Sequence, residues 1–455
     1  MGFLQLISAN KLAAAYDPME KQLSLYAQGQ VREFTSGIAF SRDPNWAGGY
    51  KFCYRTENMS ENWARGHSDD LQKSWCAARI LTSLPHHQTG GLTMHPNFRD
   101  YRTIKGTLAH ALHIRGGHQE SHLNTLALLI CGIVGSQHVQ FAKIAQHMPI
   151  RGRKDESLIK RARRWVDHQD VSDTTFFAPF AQAVLQGLAQ APIHLILDGS
   201  ALGRGCVVLM ASVLYRQRAI PIAWLVVKGK KGHLPQECHC ALIRQVQDLM
   251  PPDADVLVLG DGEFDGIQLQ ATIRAAGWHY DCRTATTILV HADGNTFAVG
   301  NLPLKRGEAV AVSEARVTAE QYGPVTIIAV WEADQEEPLY LVTSLSDPDA
   351  AIERYRLRFR IEPLFADHKS RGFQVDKSHL ADPARLARLL IVTSLAYFWV
   401  MAVGVFAQAQ GWLAQFHRTD RCDLSLFQIG LRAIGYARRE GLRIPITFTL
   451  APEAP

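Results

Sequence analysis

The chain has 455 residues, enough for two to four domains and a large core. Its hydrophobic fraction of 47% is that of an ordinary globular protein and excludes a disordered chain. A formal net charge of +5 is compatible with a nucleic-acid partner without establishing one.

Eight cysteines are scattered at Cys53, Cys76, Cys131, Cys206, Cys238, Cys240, Cys282 and Cys422. No spacing suggests a disulfide framework, so a reducing cytosol is expected. Cys238-His239-Cys240 with His233 nearby has metal-ligand character, but no second ligand pair stands at zinc-finger spacing. The first residues lack a basic segment followed by an apolar run and a cleavage site, so no signal peptide is expected. From Leu389 to Ala407 no charged residue occurs, which is roughly the length that crosses a bilayer. Thr393, Ser394, Tyr397 and Gly404 interrupt that run, and a helix buried in a large core is the expectation.

In chain order, residues 1–96 show no sustained period of two or 3.6 and read as an extension of unknown fold, with Met94 a candidate alternative start. Residues 97–190 turn helical, with helices over Asn124–Val134 and Val139–His147. They lead to Arg151–Trp165, where Arg151, Arg153, Lys154, Lys160, Arg161, Arg163 and Arg164 make the most basic stretch of the chain. Short helices ending in such a run resemble a small DNA-binding module; a solvated basic face is the plain alternative.

Residues 191–285 read as strand, strand, strand, helix, strand, helix, strand. The strands are Ile193–Leu197, Val207–Tyr215, Ile220–Val227, Asp255–Leu259 and Trp278–Arg283; the helices are Leu234–Leu249 and Phe264–Ala276. A meander followed by right-handed crossovers gives a mixed α/β sheet. Residues 286–338 are strand-like with many turns, including Asp293-Gly294-Asn295, and read as a small β insertion. Residues 339–455 open with the strand Leu339–Leu345, a helix capped by Ser346 or Asp347, and helices over Asp382–Gln410 and Asp423–Arg439.

Asp198 and Asp261 each stand where an apolar strand is expected to end, facing a crevice at its carboxyl edge. A third acid, Glu362, lies in YRLRFRIEPLFADHKSRG, Tyr355–Gly372. At about 100° per residue Tyr355, Arg358, Glu362 and Lys369 fall within roughly 60° on one helix face, while Leu357, Ile361, Leu364 and Phe365 supply the apolar side. Pro363 predicts a kink or restart at Glu362. Three hard oxygen ligands in an open cleft suit Mg²⁺ or Mn²⁺, and two ions about 4 Å apart would serve phosphoryl transfer without a protein nucleophile. Asp265, Glu263 and Asp367 are nearby acids that end no strand, and Lys228, Lys230, Lys231 and His233 follow the third strand as a candidate DNA path.

LILDGS (Leu195–Ser200), GRGCVVLMASVLYRQRAIPIAW (Gly203–Trp224), LGDGEFDG (Leu259–Gly266) and Tyr355-x₂-Arg358-x₃-Glu362-x₆-Lys369 together resemble the DDE transposases of bacterial insertion sequences, in particular the insertion-sequence-four group with its YREK signature. The resemblance runs from about Gly116 to Phe427. It implies an RNase H-like α/β core interrupted by the β insertion, with an N-terminal helical DNA-binding region and C-terminal helices. Asp198, Asp261 and Glu362 are implied as catalytic metal ligands for Mg²⁺, or Mn²⁺ in its place, two ions in all. Tyr355, Arg358 and Lys369 are implied as DNA contacts, and Trp331, the only Trp of the insertion, is the candidate for stacking on a flipped base. The implied reaction is hydrolysis at the end of the element, freeing a 3′-OH that then attacks a second strand. The implied partners are transposon-end and target DNA and a second copy of the chain in a synaptic homodimer; no membrane is implied, and the location is the cytoplasm, at the nucleoid. An inactive transposase-derived DNA-binding protein is the alternative.

Overall fold

The computed structural model describes strand residues 6–7, 13–17, 22–27, 30–34, 38–42 and 50–54, and residues 96–444 apart from 233 and 419. Two compact units divide the chain, Met1–Leu92 and Thr93–Pro455. In the first, β1 (Leu6–Ile7), β2 (Ala13–Asp17), β3 (Gln22–Ala27) and β4 (Gln30–Phe34) form an antiparallel sheet in chain order, and β5 (Ile38–Arg42) pairs with β6 (Tyr50–Tyr54). Short strands of mixed polarity explain why no period was visible there. Met94 and His233 lie outside the described residues.

The second unit opens with helices: α1 (Pro96–Ala111), α2 (His118–Ser136), α3 (Phe141–His147), α4 (Asp155–Asp167), α5 (Asp173–Phe176) and α6 (Ala178–Leu188). Buried residues run without a break from Thr125 to Val134, so this part of α2 is enclosed on every side. By contrast α4 is amphipathic. Leu158, Ala162, Trp165 and Val166 are buried at helical spacing, while Arg151, Arg153, Lys154, Lys160, Arg163 and Arg164 of the same basic run are exposed.

The sheet follows. β7 (Ile193–Leu202), β8 (Cys206–Tyr215) and β9 (Arg218–Lys228) form an antiparallel meander, and β10 (Val256–Gly260) and β11 (His279–Arg283) run parallel to β7 on its other side. Helices α7 (Gln236–Gln247) and α8 (Ile267–Ala275) make the crossovers. Arg216 and Gln217, both at positive φ, form the two-residue turn that matches strand twist between β8 and β9. The order β9-β8-β7-β10-β11 is consistent with an RNase H-like core.

One sequence-based expectation needs correction: β7 does not end at Asp198. It continues to Leu202 because β8 keeps pairing with it, through Asp198↔Met210 to Leu202↔Cys206, after β10 has stopped. The strands of the β insertion are continuous with the core sheet. β12 (Leu289–Ala292), β13 (Asn295–Ala298), β14 (Ala309–Val317), β15 (Tyr322–Val330) and β16 (Leu339–Thr343) extend the core sheet to ten strands, with β16 antiparallel to β11. Val325–Val330 are buried on both faces, so β15 belongs in a core rather than on a surface hairpin. The stretch Tyr355–Lys369 is interrupted next to Glu362, as Pro363 leads one to expect. α9 (Pro348–Tyr355) passes into a 3₁₀ segment, Arg356–Arg360, before α10 (Ile361–His368) starts. The break precedes Pro363, which then sits in the first turn of α10, where its missing N–H costs nothing.

Behind α10 lies α11 (Pro383–Ala409), capped by Asp382, whose carboxylate accepts the Arg385 N–H at 2.8 Å. By length and composition this helix could cross a membrane, but Leu389–Gly404 are buried within the protein without a break, as for the core of a folded domain. α12 (Leu426–Arg439) packs against it so closely that a Cβ on Gly430 would fall 1.9 Å from the Val400 carbonyl oxygen. Arg218 of β9 ties the layers together: its guanidinium pairs with Asp367 of α10 and donates to the Tyr397 hydroxyl of α11 at 3.5 Å.

Asp281 of β11 is fully buried, and neither carboxylate oxygen has a hydrogen-bond partner. Burial holds its pKa well above the ordinary carboxylate range, against a weaker opposing pull from Arg354. The folded chain therefore binds this proton more tightly than the unfolded chain. Its stabilising contribution is complete below the ordinary aspartate pKa and is lost as pH rises toward the raised one. Asp281→Asn should be as stable as the parent near pH 4 and more stable at pH 8, by about 1 kcal/mol or more, read from the thermal midpoints at the two pH values. Equal midpoints at both pH values would refute this.

Candidate active site

Register brings the two aspartates level. In the parallel pair β7/β10, Val256 faces Ile193 and Leu259 faces Ile196. Asp198 and Asp261 each lie two residues further on, on adjacent strands about 4.8 Å apart. Asp261 is the first residue beyond β10, and its carboxylate accepts the Glu263 N–H at 2.9 Å. The proximity is felt electrostatically, since the Asp261 charge contributes to raising the Asp198 pKa. Burial is the larger cause of that rise, opposed by Lys231.

Asp198 is 4% exposed. Its Oδ1 accepts from the Gly199 N–H at 2.7 Å and from Lys231 Nζ at 3.0 Å. Lys231, half-exposed on the loop after β9, thus places a cation against the carboxylate. Ser200 shares the face of β7 that carries Asp198, being two residues on. Its hydroxyl accepts from Lys369 Nζ at 2.7 Å. Lys369 is half-buried at the end of α10, and desolvation pulls its pKa below the usual lysine value.

Glu362 occupies the first turn of α10, which packs on β7 and β9. Its side chain is 60% exposed and lies 3.6 Å from Arg358, which is itself 9% exposed. The Arg358 charge also opposes the rise of the Asp198 pKa. Arg358 stacks over Phe359 at 4.3 Å from the ring centroid. Asp198 is thus buried, Asp261 half-buried, and Glu362 exposed beside Arg358.

The remaining residues singled out in the sequence are placed differently. Tyr355 is 1% exposed and packs with Ile328, Val330, Leu341, Ala351 and Ile352. Burial lifts its phenol to about 12. Trp331 follows β15, at the same end of the sheet as the acids but three strands from β10, about 14 Å sideways. Its indole N–H donates to the Gln335 carbonyl at 3.2 Å, and Arg306 lies over its ring. The neighbouring acids are engaged elsewhere: Asp265 accepts from Thr284, Asp367 pairs with Arg218, and Glu263 lies 3.6 Å from His239. Cys238 and Cys240 do not join His239 in a ligand cluster among the described residues. Ser200 and the direct Lys231 contact were not evident from sequence. A residue two places beyond Asp198 on the same strand face was the one available signal for Ser200.

The donor set fits a hard divalent cation. Adjacent carboxylates, one of them buried, demand positive charge, and in this structure an ammonium supplies it.

Residues 192–399 match the family model of the transposase DDE domain, which supports a DDE transposase. That span holds Asp198, Asp261, Glu362 and the strands and helices that carry them. No curated protein sequence matches the chain. Among solved structures, the cryo-EM structure of the piggyBac transposase synaptic complex with hairpin DNA is similar at a TM-score of 0.40 and 12% identity, over 77% of this chain and 81% of that one.

Lys231 holds the position at Asp198 that a divalent ion would take, so Lys231→Met should tighten Mn²⁺ binding several-fold without DNA, measured by titration calorimetry. Unchanged or weaker binding would show that the lysine does not occupy the cation position.

Proposed function

We propose that this chain is a DNA transposase that binds the ends of its mobile element and carries out strand cleavage and strand transfer. The observation that carries this reading is the β7/β10 register, which sets Asp198 and Asp261 side by side within the matched domain. Asp198, Asp261 and Glu362 would hold Mg²⁺ or Mn²⁺, two ions in the fullest form of the site. When bound, such ions supply Lewis acidity and charge neutralisation at the scissile phosphate.

The chain's own residues supply the rest. Arg358, Lys369 and Lys231 concentrate positive charge around the acid pair and would draw a phosphodiester to it. Water attacks phosphorus, the P–O3′ bond breaks, and a 3′-OH and a 5′-phosphate result. That 3′-OH then attacks a second phosphodiester, and each new P–O bond replaces one broken. Lys231 would yield Asp198 to a bound cation. Tyr355, 1% exposed, reaches DNA only if the 3₁₀ segment moves; otherwise it anchors that segment. Trp331, at the same end of the sheet, would stack on a flipped base. The exposed basic face of α4 offers phosphate contacts, and target DNA and a second copy of the chain complete the synaptic assembly.

The test is a cleavage assay with the purified chain, Mg²⁺ or Mn²⁺, and DNA carrying the inverted repeats that flank its gene. End cleavage is expected, abolished by Asp198→Asn, Asp261→Asn and Glu362→Gln with DNA binding largely retained. Arg358→Ala and Lys369→Ala should weaken binding and each reduce the slope of log affinity against log salt by about 1. Full cleavage by the Glu362→Gln variant would overturn the site assignment. Binding without cleavage by the parent chain under both metals would leave only a DNA-binding protein.

A further inference from the structure

The helical region carries a second cluster of ligand-type side chains, away from the carboxylates. His118 and His122 lie four residues apart in the first turns of α2, and His168 caps the end of α4. One ring nitrogen of each lies within 4.8 Å of the others. The ring centroids are 4.8 Å apart for His118–His122, 4.5 Å for His122–His168 and 5.6 Å for His118–His168. Three imidazoles bound to one tetrahedral ion place their centroids about 5 Å apart, given a metal–nitrogen bond near 2.0 Å. The rings are thus already at that spacing.

We propose that His118, His122 and His168 bind one transition-metal ion of the zinc class, at a site distinct from the Asp/Asp/Glu cleft.

A second observation points to a ligand independently of the spacing. Nε2 of His122 is buried and has no hydrogen-bond partner, although Trp165 and Phe176 pack around the residue and Trp165 donates to its backbone carbonyl at 3.0 Å. An unpaired buried ring nitrogen is costly unless something occupies it. Burial first, then the neighbouring His168 and His118, hold the His122 pKa below the usual histidine value. The ring therefore stays neutral at physiological pH, with a lone pair to offer.

His168 carries the outer partner that such sites use. The Asp170 carboxylate lies 3.9 Å from its Nδ1, while the Asp170 backbone N–H donates to that nitrogen at 3.3 Å. On metal binding through Nε2 the ring proton shifts to Nδ1, where the carboxylate can accept it. His118 is exposed, so the fourth position opens to water. Drawing the nitrogens from 4.8 Å to the about 3.3 Å of a tetrahedral site requires rotation of the rings about their Cβ–Cγ bonds. Imidazole nitrogen prefers Zn²⁺, Co²⁺, Ni²⁺ or Cu²⁺ to Mg²⁺, so the two sites would take different ions. An ion here would fasten the start of α2 to the end of α4, the helix with the exposed basic face. Its role would be to hold that face in place.

The test is a Co²⁺ titration of the chelator-treated full chain in millimolar Mg²⁺, which keeps the carboxylates from competing. One equivalent of Co²⁺ should give the intense visible absorption of a four-coordinate ion. Zn²⁺ should bleach that band and raise the thermal midpoint. His122→Gln and His168→Gln should each weaken Co²⁺ binding by about 100-fold. His118→Gln, a change at an exposed residue, provides the same readout should the other variants fail to fold. Asp198→Asn should leave the band intact. Absence of the band in the parent chain, or its persistence in His118→Gln, would overturn the proposal.

Discussion

The parallel pairing of β7 with β10 is the constraint on which the rest of the site depends. A parallel ladder admits one register when both strands are buried on both faces, because a slip by one residue would turn every side chain to the other side. Val256 opposite Ile193 sets that register, and the aspartates beyond Ile196 and Leu259 must then emerge together. Nothing in either strand alone would bring two like charges so close. The apolar ladder behind them offsets the repulsion, and the neighbouring cations relieve it.

Those cations come from three separate parts of the chain. Lys231 arrives on the loop after β9, Arg358 on the 3₁₀ segment, and Lys369 at the end of α10. Their convergence depends on how α10 docks. The buried Arg218–Asp367 pair and the Tyr397 hydroxyl fix that helix between the edge of the meander and the central helix α11. Burial keeps the Asp367 carboxyl at about 6 even beside the guanidinium, so much of the attraction is offset by desolvation. The pair specifies where α10 sits more than it stabilises the fold. α11 itself reads like a membrane span because a helix enclosed on all sides by protein and one enclosed by lipid need the same composition.

The histidine cluster and the carboxylate cleft illustrate two ways of handling titratable groups. In the cleft, charge is accumulated and balanced by charge, as suits a hard cation and a phosphate. In the helical region three imidazole rings face one another, and burial lowers the His122 pKa. One chain thus carries two electrostatic environments, each matched to a different class of ion.

Much of this was legible in the residues. Apolar runs located β7 to β11 and the helices between them, and the cap expected at Ser346 or Asp347 is Asp347, since these depend on local period and local hydrogen bonding. The Asp198, Asp261, Glu362, Arg358 and Lys369 pattern was likewise visible as spacing. What the amino-acid order could not decide were contacts between distant segments: that β8 carries β7 past Asp198, that β15 and β16 join the core sheet, that Tyr355 turns inward, and that His118, His122 and His168 meet. Each is settled by which surfaces remain unpaired once the sheet and α11 are in place. That is a property of the packed chain, because burial and pairing between residues far apart in sequence have no local signature.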